Sequence, residues 1–259
     1  MSDYRHGARV LGAYIDALSW EATLNRLLAW SRARESRYVA ICNVHVAVSA
    51  WRDTAYRKVI NGADMATPDG APVAWMLRRL GFASQPRISG PDLTWALCER
   101  CAADGLPVYF YGSRESTLAA LERRLRATFP TLAIGGLESP PFRALTAEED
   151  AAAVTRINAS GAGIVFVGLG CPKQERWIAE HRGRINAVMI GVGAAFDFHA
   201  GTVKRAPLWM REHGLEWLHR LVSEPRRLWK RYLVTNSLFV FGAVLQLARR
   251  QPNSGHTER

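Results

Sequence analysis

Asp69 stands between Pro68 and Gly70, with Thr67 just before it, where an apolar run gives way to a loop. A carboxylate held there can act as a general base toward a hydroxyl. It can equally cap the helix expected from Ala71. Asp92, in Ser89-Gly90-Pro91-Asp92-Leu93, reads better as a cap. Gly168-x-Gly170-x-x-Lys173 lies at a strand-to-helix turn, where free backbone N–H groups and the helix dipole favour a phosphate and Lys173 adds a cation. The same glycines also serve as a plain tight turn, with Pro172 as the first helical residue. After Gly191-x-Gly193, Asp197 either holds a ribose hydroxyl or anchors a turn.

Several chemistries lack their residues. A dinucleotide fingerprint wants a third glycine where Lys173 and Phe196 stand, and neither a Walker A loop nor G-x-S-x-G occurs. His45, His199, His213 and His219 are not at metal-ligand spacing, Asp-x-Asp is missing, and Cys98/Cys101 is a lone C-x-x-C. No metal site is expected, so an enzyme acting on a diphosphate here must neutralise it with lysine, arginine and helix N-termini.

The elements that would carry these loops alternate along the chain. Tyr38–Cys42, Ala63–Ala66, Pro107–Tyr111, Leu132–Gly135, Gly163–Gly168 and Ala187–Gly191 read as strands. Amphipathic runs follow them at Val46–Ile60, Ala71–Leu80, Ser116–Phe129, Ala147–Ala159 and Pro172–His181. This alternation predicts an α/β fold, a mainly parallel sheet with helices on both faces. In such sheets ligands bind beyond the carboxyl ends of the strands, which is where Asn43, Asp69, Gly168 and Gly191 fall.

With 259 residues, 48% of them apolar and 22% charged, the chain is globular rather than disordered. Its four cysteines fit a reducing compartment, and Met1–Trp20 has no apolar stretch of the kind a signal peptide needs. The net charge of +11 predicts attraction to polyanions such as phosphoesters, anionic lipid or nucleic acid. It concentrates late: Lys204–Arg231 holds eight Lys/Arg against three Asp/Glu, with Trp209, Trp217 and Trp229 among them. Leu233–Ala248 follows, 16 residues without a charge. As a helix these would reach roughly 24 Å, short of the ~30 Å hydrocarbon core, so an interfacial helix or hydrophobic lid is expected and not a span. A division into residues 1–202 and a basic appendage, 203–259, follows.

Taken in order, the loops resemble the WecG/TagA/CpsF family, glycosyltransferase family 26. The resemblance rests on Asn43, Pro68-Asp69-Gly70, Arg87-Ile88-Ser89-Gly90-Pro91-Asp92-Leu93, Val167 through Glu175, Gly191-Val192-Gly193, and Gly201 through Pro207. Gly214 through Leu221 and Glu224-Pro225-Arg226-Arg227 continue it, whereas Leu233–Ala248 extends past the well-matched region.

The resemblance implies a Rossmann-like GT-E fold and an inverting, metal-independent transfer from a UDP-sugar to a polyprenyl-diphosphate-linked saccharide in cell-surface polysaccharide synthesis. The sugar would be of the N-acetylmannosamine, N-acetylmannosaminuronic acid or glucose type. Asp69 becomes the expected base, with Asn43, Thr67 and Gly70 beside it. Gly168, Gly170, Lys173, Gln174, Glu175, Gly191, Gly193, Asp197 and Arg205 are expected around the donor. Arg211, Trp217, Arg220, Arg226 and Arg227 belong to the appendage that closes the site and holds the enzyme at the inner face of the plasma membrane. UDP-sugar is then a substrate and no cofactor is expected; a homo-oligomer is allowed. Two competing readings are a nicotinamide-dependent oxidoreductase, against which the missing third glycines count, and a nucleic-acid binder using the basic tail, which would show steep salt dependence without UDP competition.

Overall fold

In the computed structural model, which describes residues 5–249, the chain opens with an antiparallel hairpin, β1 (Gly7–Val10) and β2 (Ala13–Asp16). Its two-residue turn places Leu11 and Gly12 at positive φ, as hairpin turns that match strand twist require. Helix α1 (Trp20–Arg32) is capped by Ser19, whose hydroxyl accepts from Ala22 N–H. Neither the hairpin nor α1 is part of the strand-helix rhythm read from the sequence.

The rhythm itself builds the rest. β3 (Arg37–Cys42) leads into α2 (Val44–Arg52) and α3 (Thr54–Asn61), then β4 (Met65–Pro68), α4 (Ala71–Arg79) and α5 (Gly90–Asp104). The single helix expected over Val46–Ile60 is broken because Asp53 takes extended backbone and its carboxylate accepts from the N–H groups of Ala55 and Tyr56. β5 (Val108–Gly112), α6 (Glu115–Thr128), β6 (Ile134–Glu138), α7 (Ala147–Ala159), β7 (Ile164–Gly168), α8 (Lys173–Glu180), β8 (Val188–Gly191) and α9 (Ala195–Ala200) follow. β6 starts later than expected, as Gly136 gives its Cβ space to the Tyr109 ring across a register shift in β5.

Six strands form one parallel sheet in the order β4-β3-β8-β7-β5-β6. Alternate residues of each central strand feed two apolar layers. Tyr109, Tyr111, Val165 and Val167 join the side covered by α2, α3, α4, α7 and α8, while Phe110, Ile164 and Phe166 join the side covered by α1, α5, α6 and α9. The architecture is Rossmann-like α/β, as expected.

After Gly201 come three helices, α10 (Leu208–Glu212), α11 (Glu216–Ser223) and α12 (Pro225–Ala248). The last is a single helix that takes in the basic turn before the uncharged run. From Leu228 it is 21 residues long with mean hydropathy 1.2, long and apolar enough to cross a bilayer. The length objection to a span therefore does not hold. What the structure shows is docking on one face: Leu228, Thr235, Phe239 and Ala243 are buried. Gly242 passes close to Leu11 and Trp51, where a Cβ would stand 2.9 Å from Leu11. Gln246 fastens the far end, accepting from Leu11 N–H at 2.9 Å and donating to the Arg9 carbonyl at 2.6 Å.

Candidate active site

A cavity of about 740 Å³ opens beyond the carboxyl ends of β3, β4, β7 and β8 and is roofed by α11 and α12. Asp69 lies on its wall. The chain turns there because Gly70 takes φ +85° and Pro72 sits in the first turn of α4. Gly70 occupies the cap position, with no side-chain capping bond, so the carboxylate of Asp69 is not used as a helix cap. It meets Arg87 instead, Nε to Oδ1 at 3.4 Å, and its side chain is 18% exposed. Burial pushes the carboxyl above its ordinary value, Arg87 draws it back, and Glu216 adds to the rise. A buried carboxylate with a raised pKa is, once ionised, a stronger proton acceptor than an exposed one.

Arg87 reaches further. Its other arm donates to Glu216 in a short contact and to the Arg211 carbonyl at 3.4 Å. Glu216 also pairs with Arg205 at 3.4 Å, and Arg205 grips Asp92 at 2.6 and 2.8 Å. This chain of charges runs from Asp69 into α11, binding the appendage to the core. Asp92 is not a cap: Ser89 caps α5, and Asp92 answers from the third helical position while holding Arg205. Ordinary burial would raise its pKa; hydrogen bonds from Arg205 and Ser89 hold it down at about 2.

The glycine loops meet through Gln174. Its buried side-chain oxygen accepts from Gly170 N–H at 3.2 Å and Gly193 N–H at 3.1 Å, and its nitrogen donates to Glu175 at 2.8 Å. Gly191 leaves the space for it, since a Cβ there would stand 3.1 Å from the Gln174 nitrogen. The second Glu175 oxygen is buried beside Tyr56 and Cys171; burial pushes that carboxyl up, and Gln174, Tyr56 and Cys171 draw it back. Pro172 is the residue before α8 and not its first turn, which begins at Lys173.

Of the expected substrate residues, Asn43, Gly70, Gly170, Gln174, Glu175, Gly191 and Gly193 line the cavity together with Asp69. Asn43 also caps α2, its side chain accepting from Val46 N–H at 3.1 Å. The rest stand elsewhere. Thr67 is buried in β4 with its hydroxyl unpartnered, Lys173 is exposed, and Gly168 packs against the Phe196 ring. The Asp197 carbonyl accepts from Val203 N–H and the Thr202 hydroxyl, which makes it a turn anchor. Arg205 is engaged by Asp92 and Glu216 rather than facing the cavity. In the appendage, Trp217 and Arg220 line the cavity, Arg211 approaches Asp92, Arg226 is exposed, and the Arg227 side chain lies outside the described residues.

Sequence reasoning missed Arg87, Glu216, His45 and Arg231 as cavity residues. Arg87 and Glu216 were within reach, since both sit in segments that carry the family resemblance; only their pairing is invisible in one dimension. Among the described residues no group of three His, Cys, Asp or Glu side chains is placed to hold a metal ion.

Residues 8–253 match the glycosyl transferase WecG/TagA/CpsF family model. The chain belongs to this family. The match runs through α12 to residue 253, past Leu233–Ala248, so the long helix is part of the family region and not an addition to it. The protein is thus a glycosyltransferase with a Rossmann-like sheet.

Proposed function

We propose that this glycosyltransferase moves a hexosyl unit of the N-acetylmannosamine, N-acetylmannosaminuronic acid or glucose type from UDP to a polyprenyl-diphosphate-linked saccharide, with inversion and without a metal. The observation that carries the reading is the Asp69 carboxylate, held by Arg87 in a cavity bounded on one side by the glycine loops. Ionised Asp69 takes the proton of an acceptor hydroxyl as that oxygen attacks the anomeric carbon. The bond to the UDP oxygen breaks on the opposite face. One base suffices for a single displacement, and the negative charge gathers on the departing diphosphate. Arg220, which lines the cavity over the Phe198 ring, takes the place expected of Arg205 in neutralising it. A preorganised cation or donor there is worth ~2 to 4 kcal/mol in the transition state.

Membrane association at the cytoplasmic face belongs to the same reading. All the large exposed apolar side chains among the described residues except Trp75 and Phe142 fall at Leu208 or later, including Trp209, Trp229, Leu233, Val234 and Phe241. Apolar side chains next to the basic residues of α11 and α12 suit a peripheral seat on anionic lipid, where a lipid-linked acceptor would be met. A panel of UDP-sugars, each offered with a lipid-diphosphate-linked sugar and followed by UDP release, tests the reaction. Release with one donor that requires the acceptor supports it, and reduced nicotinamide binding in place of UDP would sink it.

A further inference from the structure

The cavity is chemically two-ended. Near Asp69 it is walled by the glycine loops and by charged side chains; away from it the wall is α12, presenting Phe239, Val240, Ala243, Val244 and Leu247. Between the two ends stand Arg231 and His45. Both line the cavity, the Arg231 Nε and the His45 Nδ1 are buried without a hydrogen-bond partner, and burial first, then the nearby Arg231, lowers the His45 pKa. An anion is the partner that would satisfy both groups: it accepts from the guanidinium, and its charge favours the imidazolium. The α12 wall from Arg231 to Leu247 spans roughly 24 Å at the rise of an α-helix, the length of an extended chain of several isoprene units and far more than a sugar ring needs.

Resting on the proposed transfer to a lipid-linked acceptor, we propose that this end of the cavity is the acceptor's carrier subsite: Arg231 and His45 take its diphosphate, and the first isoprenoid units lie along Phe239, Val240, Ala243, Val244 and Leu247. Two observations commit the apolar groove to this occupant. It is continuous with the space in front of Asp69, so whatever lies in it is joined to the reacting group. Its polar boundary is cationic, so the joint is an anion. An uncharged hydrocarbon chain would match the apolar part and leave Arg231 unmet.

The test compares acceptor sugars on a diphosphate bearing either a farnesyl or a methyl group. The farnesyl acceptor should show a KM lower by at least ~10-fold, since each buried methylene multiplies affinity several-fold. In Val244→Asn that ratio should fall toward one, and in Arg231→Gln both KM values should rise by ~10-fold or more. Val234→Asn, exposed on α12 and away from the cavity lining, should leave the ratio in place. Binding of farnesyl diphosphate, measured calorimetrically without donor, should weaken at least ~10-fold in Val244→Asn and Arg231→Gln, with unchanged thermal unfolding excluding a collapsed fold. Equal KM values for the two acceptors in the wild type would overturn the subsite. So would loss of farnesyl binding in Val234→Asn alone, which would mean that the isoprenoid touches only the surface. Calorimetric binding with no transfer to either acceptor would keep the subsite and refute the lipid-linked acceptor on which it was built.

Discussion

Asp69 and Arg87 form the smallest unit that makes chemical sense, and the sign of their coupling can be tested. The base works when ionised, so kcat/KM should fall as pH drops through the Asp69 pKa, which burial holds above the ordinary carboxylate range and Arg87 restrains. Removing the guanidinium in Arg87→Gln should move that acid limb to higher pH, read from a pH–rate profile; an unmoved limb would mean that another group titrates. Asp69→Asn preserves the shape and should lower turnover by the ~10² to 10⁴ typical of a lost general base, while UDP binding survives. Near-full turnover with the natural acceptor would end the mechanism. Asp69 was legible from its place between Pro68 and Gly70, but its capping and base roles were not separable there. Gly70 removes the capping role by occupying the cap position itself. Arg205 was misplaced for the opposite reason: a lone arginine in a basic tail gives no sign that Asp92 and Glu216 already claim it.

At the scale of elements, Gln174 holds the β7 and β8 loops together by its two backbone acceptances. Gln174→Ala strands two N–H groups in a half-buried site, and the expected loss is about 1 to 3 kcal/mol in denaturant unfolding, with a raised KM for the donor. A second element contact makes the fold acid-sensitive. His199 of α9 stacks on Trp95 of α5 at 4.5 Å and donates from Nε2 to the Pro91 carbonyl at 2.8 Å. Burial lowers its pKa to about 4. The unfolded chain therefore takes up the proton first, and stability should decline as pH falls from about 6.5, the ordinary histidine value, toward about 4. Asp92 acts in the same direction lower down, between the ordinary carboxylate range and about 2. Its effect is held to ~1 kcal/mol by solvent screening, as its side chain is 43% exposed. Urea titrations of His199→Phe should lack the upper part of this decline. The strands and most helices were legible because β-rich runs and 3.6-residue periodicity repeat down the chain. The hairpin was not, being four-residue strands with mixed side chains, and the break at Asp53 depends on a local capping bond that periodicity does not reveal.

Seen whole, the described residues carry most of their large exposed apolar side chains on one stretch, and α12 is both wall and surface. Deleting the appendage would also uncover the core against which Phe239 and Ala243 pack. The cleaner test changes the outer face alone: Leu233→Gln with Phe241→Gln should abolish flotation with anionic vesicles while leaving thermal unfolding within ~1 kcal/mol. Retained flotation would assign membrane contact to α10 and α11. Activity should persist in excess chelator, since the proposed transition state is neutralised by arginine; loss restored by magnesium or manganese would reveal a metal requirement. The two-faced nature of α12 could not be read from a run without charges, because uncharged residues look alike whether they meet protein or lipid. The docked face is set by Leu11, Trp51 and Gln246, which are distant in sequence.

The fastening of Leu11 to Gln246 joins residues 235 positions apart. During synthesis the hairpin and α2 emerge well before α12 and must wait, with an apolar face uncovered, until α12 leaves the ribosome. Contacts of such separation form late and slowly. The roof of the cavity is therefore made after the sheet, and a nascent chain can have a finished sheet and a correctly placed Asp69 while still being unable to enclose anything.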